Sequence, residues 1–94
     1  MENTPKVLYV KSSTSVGKLA GSIINAYSDS GAEISIRSVG AGSLNQSVKA
    51  VILSNKHFVK FGKVVQILPA FIESSKEDEI SLTVIELTLK FTKL

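Results

Sequence analysis

Ile34-Ser35-Ile36-Arg37-Ser38-Val39-Gly40-Ala41-Gly42-Ser43-Leu44-Asn45-Gln46-Ser47-Val48-Lys49 is the stretch that decides the fold. Its first six residues alternate apolar and polar with period two, as a half-buried strand does. Gly40-Ala41-Gly42 then turns the chain. From Leu44 the period changes: Leu44, Val48, Val51, Ile52 and Phe58 mark the inward stripe of a helix that ends by Gly62. Asn45, Lys49, Lys56 and Lys60 gather on the opposite side of that helix. The unit is strand, tight turn, helix.

Upstream, the same unit occurs once more. Val7-Leu8-Tyr9-Val10 is a short apolar run after Pro5, suited to a buried strand. Ser12-Ser13-Thr14-Ser15 offers hydroxyls to cap a helix whose apolar stripe is Val16, Leu19, Ala20, Ile23, Ile24 and Tyr27, with Gly31 as its C-terminal cap. Gly17 and Gly21 within this helix each cost about 1 kcal/mol relative to alanine. Their spacing suggests close approach to another backbone as the compensation.

Downstream come two strands. Val64 to Phe71 is the first, and Pro69 inside it cannot donate to a ladder, which places it at an edge or at a bulge. Ser74 to Glu79 turns into the last strand, Ile80 to Phe91. Apolar residues there move from even positions (Ile80, Leu82, Val84) to odd ones (Ile85, Leu87, Leu89, Phe91). Either a bulge or burial of opposite faces along the strand's length accounts for the switch, and the second implies a covering subunit. The element order is β-α-β-α-β-β, an α/β fold of the α+β two-layer sandwich type.

The chain of 94 residues has room for a single domain, residues 1–94. It contains no cysteine, which excludes disulfides, thiol catalysis and cysteine-ligated zinc. No basic stretch followed by an apolar one opens the sequence, and no apolar run is long enough for a bilayer. The expectation is a cytoplasmic protein with no membrane association. The net charge is +3, unevenly spread. Eight basic residues face two acidic ones between Lys6 and Lys63, while Glu73, Glu77, Asp78 and Glu79 crowd one later turn. Such polarity steers polyanions to one side of a molecule.

Reactive groups are scarce. His57 is the sole histidine and has no acid near it in sequence, so it reads as a surface or packing residue. The acids lie together in a solvated turn and do not form a general acid/base pair. Ser12 to Leu19 fails as a P-loop at both ends, since serine replaces the first glycine and Leu19 the metal-binding hydroxyl. Gly40 to Asn45 lacks the third glycine of a dinucleotide fingerprint. What Gly40, Ala41, Gly42 and Ser43 do offer is a flexible turn at a helix N-terminus, where free N–H groups favour an anion. The expectation is a non-enzymatic domain without cofactor or metal. Tyr9, Tyr27, Phe58 and Phe61 fall within apolar stripes and read as core rather than as stacking platforms for single strands.

Val39 to Ala50 resembles the signature stretch of the stage V sporulation protein S family. Ile67-Leu68-Pro69-Ala70-Phe71 resembles that family's second string, and Lys11-Ser12-Ser13 with Val16, Leu19, Ala20 and Gly21 its opening. The family is similar in turn to Alba-like chromatin proteins. The resemblance implies a mixed four-stranded sheet in the order 1-2-4-3, two helices on one face, and a homodimer or higher homo-oligomer. It further implies largely sequence-independent nucleic-acid binding, to DNA or RNA, and a regulatory role in bacterial sporulation or development. By position, the contacts fall on Lys11 and Lys18 in the first turn and on Asn45, Gln46, Lys49 and Lys56 along the second helix. The basic hairpin arm of Alba-like proteins is acidic here, which weakens the expected grip.

Two other readings stay open. A protein–protein module would bury the third and fourth strands in an interface and scatter the basic residues. A small-metabolite binder would need a pocket beside Asn45 and Gln46.

Overall fold

A computed structural model describes residues 5–30, 33–72 and 83–94, with the backbone alone for 28–30. Its elements are β1 (Lys6–Val10), α1 (Val16–Ser30), β2 (Ile34–Ser38), α2 (Ala41–Val59), β3 (Lys63–Ile72) and β4 (Val84–Lys93). The strands form one sheet in the order β1-β2-β4-β3. β1 and β2 run parallel, while β4 is antiparallel to both β2 and β3. The element order is that expected from the sequence, and the strand order is that implied by the family resemblance. Pro69 lies in β3, an edge strand, where its missing N–H leaves no gap in a central ladder.

Both helices cover the sheet face that carries Ile34, Ile36, Leu87 and Leu89, all buried. α1 adds Leu19, Ala20, Ile23 and Ala26, and α2 adds Ala50, Val51 and Phe58. Tyr27, Phe58 and Phe91 close one end of this core, with ring centroids 4.4–5.1 Å apart. Burying side chains of this size contributes about 1.5–3 kcal/mol each.

Several sequence expectations need correction. Ile52, assigned to the inward stripe of α2, is 58% exposed. Small residues take its place: Ser43, Ser47, Ala50 and Ser54 are buried in a helix that packs against α1 and the sheet. Tyr9 and Phe61, read as core, are both largely exposed. Tyr9 alternates onto the sheet face that no helix covers, in register with Arg37 and Glu86. Phe61 lies beyond the end of α2, in the turn that closes at Gly62 with φ 79°.

The close backbone approach is not at Gly17 or Gly21, neither of which would crowd a neighbour with a Cβ. It is at Gly42, where a Cβ would stand 2.9 Å from that of Ser12. The β3–β4 register runs unbroken from Lys63–Lys93 to Ile72–Val84, so no bulge explains the phase switch at Val84-Ile85 within the described residues. Those two side chains face opposite sides of the sheet. Gly31 and the acidic turn Ser74–Glu79 lie outside the described residues, as do Ile80 and Leu82.

Candidate nucleic-acid interface

A parallel β-α-β arrangement brings the starts of both helices to one edge, above the carboxyl ends of β1 and β2. The first turn is built by its hydroxyls. Lys11 N–H donates to Thr14 Oγ1 at 2.8 Å, and Thr14 N–H donates back to the Lys11 carbonyl at 3.0 Å. Ser15 caps α1, its Oγ accepting from Lys18 N–H at 3.3 Å. The second turn uses Gly40 at φ 93°, a backbone conformation that side chains rarely adopt. No side chain caps α2, and neither helix has an acid in its first turn. Both N-termini therefore keep their positive ends uncompensated.

Two contacts lock the turns together. Gly42 packs on Ser12, and Gln46 Nε2 donates to the Thr14 carbonyl at 2.9 Å. Lys11 and Lys18 flank the first turn, and Asn45 and Lys49 lie on α2; all four are exposed. Lys56 is exposed two helical turns beyond Lys49, about 10 Å along the axis. Among the residues expected to contact nucleic acid, Gln46 stands apart. It is half-buried, and its amide is committed to the turn it straps down. Ser43 of the anion-binding turn is likewise turned inward: its hydroxyl donates to the Val39 carbonyl at 2.6 Å, with the Gly40 carbonyl at 3.1 Å. What Gly40 to Ser43 present outward is backbone.

His57 is a packing residue, its ring 5.4 Å from Phe58 and 5.1 Å from Phe61. No group of three or more histidine, cysteine or acidic residues among the described residues could hold a metal ion. No helix among them is long and apolar enough to cross a membrane.

Beside the second turn lies a cleft of about 620 Å³. Gly40, Gly42 and Ser43 form one wall, but Asn45 and Gln46 take no part in it. Arg37 lines it too, and its Nε donates to Glu86 Oε2 at 3.0 Å. That hydrogen bond raises the Arg37 pKa above its usual value, against a smaller effect of desolvation. Sequence reading missed both cleft and ion pair. The pair depends on the β2–β4 register, which no local pattern specifies.

The family model described as Stage V sporulation protein S (SpoVS) matches residues 6–92. No curated protein matches the chain.

Proposed function

We propose a nucleic-acid-binding role in sporulation for this chain, which belongs to the stage V sporulation protein S family. Family membership supports the sporulation part. For nucleic-acid binding, the supporting observation is the strap from Gln46 to Thr14, which ties the first turn, flanked by the exposed Lys11 and Lys18, to α2, which carries the exposed Lys49 and Lys56. Lys11, Lys18, Lys49 and Lys56 would grip phosphates, with Asn45 hydrogen-bonding between them. Two helix N-termini free of acids add a positive field at the same edge. Lys18, in the first turn of α1, faces its own helix dipole unfavourably, and a bound phosphate would offset that. Nothing in this set reads bases, so binding is largely independent of sequence. The reading assigns no catalysis and no cofactor, and puts the protein in the cytoplasm.

Fluorescence anisotropy of labelled duplex DNA and single-stranded RNA, titrated at several salt concentrations, tests it. Contact with four or five phosphates gives a log–log slope of about −4 on duplex, a loss of roughly 150- to 500-fold between 50 and 200 mM salt. Lys49→Ala should reduce the slope by about one. Flat titrations with both nucleic acids at low salt would sink the proposal.

A second reading, assembly with another copy or a protein partner, is favoured by β3. Leu68 and Phe71 are 52% and 73% exposed there, beside an apolar groove formed by Pro69, Ala70, Phe71 and Ile85. Sedimentation over a range of protein concentrations tests it, a monomer throughout counting against self-association.

A further inference from the structure

β3 has a neighbouring strand on one side only. From Val64 to Ile72 it holds no charged residue and is rich in branched and aromatic side chains. Long, uncharged edges of this composition recruit strands from other molecules unless something blunts them. The opposite edge, β1, has five residues and carries Lys6. β3, with ten residues, relies on something else.

In an antiparallel pair, alternate residues turn their backbone groups toward the partner strand and away from it. Leu94 N–H donates to the Gly62 carbonyl at 2.9 Å, one step beyond the Lys63–Lys93 pair, so the even-numbered residues of β3 face β4. Lys63, Val65, Ile67, Pro69 and Phe71 therefore turn theirs to the open edge. Val65 confirms the parity, because its N–H donates to Asn55 Oδ1 of α2 at 2.9 Å and not to β4. Pro69 has no N–H to offer. The two blocked positions alternate with the others, so no two neighbouring outward donors are free for a ladder. We propose that Asn55 and Pro69 together close the β3 edge to strand addition. Asn55 Oδ1 stands at ladder distance from Val65, where the carbonyl of an added strand would have to lie. The half-buried Asn55 is fixed on a long helix, so its amide occupies that position as part of the fold. A mere anchor between α2 and β3 would affect stability alone, whereas a closed edge governs association. Docking of a partner on the Leu68 and Phe71 side chains needs no ladder, so that reading and this one can fail separately.

Amide hydrogen exchange of the ¹⁵N-labelled chain and sedimentation over a range of concentrations form the test. In the parent, the Val65 amide should exchange about tenfold more slowly than that of Ile67, the effect of one hydrogen bond. An Ile67 amide as protected as that of Val65 would mean that the edge already carries a strand, and would overturn the proposal. Pro69→Val leaves α2 untouched and gives the edge three consecutive donors, from Ile67 to Phe71. It should associate at about tenfold lower protein concentration than the parent, the effect of one added hydrogen bond. Pro69→Lys restores the same donor but sets a charge on the edge, and should sediment as the parent does. The double variant Asn55→Ala, Pro69→Val should associate most strongly, with the amides of Val65 and Ile67 protected in the assembly. Should the loss of Asn55 prevent folding, the two Pro69 variants and the exchange of the parent still decide the matter. Sedimentation of Pro69→Val at the parent's values would overturn the proposal. Equal association of Pro69→Val and Pro69→Lys would do the same, because loss of the proline ring and not an open ladder would then be the cause.

Discussion

The row of serines in α2 and the single serine at the end of β2 are equally buried, yet only the row is satisfied. Ser47 Oγ donates to the Ser43 carbonyl at 2.9 Å, and Ser54 Oγ to that of Val51 at 2.9 Å. A helix always presents a carbonyl three or four residues back, within reach of such a hydroxyl. A strand presents none, because its carbonyls point sideways into the ladder. Ser38 therefore needs a partner from another element, and none is present among the described residues. Burying a hydroxyl is structurally neutral in one setting and costly in the other.

The harshest way to break this comparison is to enlarge the satisfied row. Ser47 is fully buried on the α2 face of small residues. Ser47→Leu should force the helices apart and cost about 2–3 kcal/mol, as overpacking does. Urea unfolding measures it. A variant that unfolds at the parent's midpoint would mean that the helices are not closely packed at Ser47.

A gentler test removes one oxygen at each site. Ser47→Ala should lower stability by about 0.5–1 kcal/mol through a lost hydrogen bond. Ser38→Ala should raise it by about 1 kcal/mol by removing an unsatisfied group. On a domain this size the latter is a rise of about 4–8 °C in melting temperature. The same substitution is expected to act with opposite signs. Shifts in the same direction would end the distinction between the two sites.

The contrast also marks how far the sequence can be read. The change of period from Ile34–Val39 to Leu44–Phe58 locates a strand and a helix, because each backbone repeat imposes its own spacing on the apolar residues. Pro69 marks an edge strand through its missing donor, and Ser15 a helix start through its hydroxyl. What fails is everything that depends on which face is covered. Val7-Leu8-Tyr9-Val10 looks buried throughout, yet β1 has one uncovered face and Tyr9 points to it. Ile52 fits the stripe by hydrophobicity, but it is exposed and the small serines lie inside. Of three helical or turn glycines, the crowded one is Gly42, because only the tertiary fold brings Ser12 there. The family resemblance singles out Lys11, Lys18 and Lys49, and each is exposed. It cannot show that the amide of Gln46 is engaged by the Thr14 carbonyl.

Gln46 and Lys49 yield the smallest and most discriminating effects, because they lie one helical turn apart in α2 and their roles separate. Gln46 is half-buried and bonded to Thr14, whereas Lys49 is exposed. Gln46→Ala should cost about 0.5–1.5 kcal/mol of stability, the net worth of one hydrogen bond. Its duplex salt slope should stay unchanged, since no cation is removed. Lys49→Ala should leave stability within about 0.5 kcal/mol, as surface changes usually do, and lower the slope by about one. Thermal melts and anisotropy on the same two proteins give all four numbers. A Gln46→Ala variant with full stability and weakened binding would turn the strap back into a contact residue. The crossed result would instead divide the edge between residues that build it and residues that meet the phosphates.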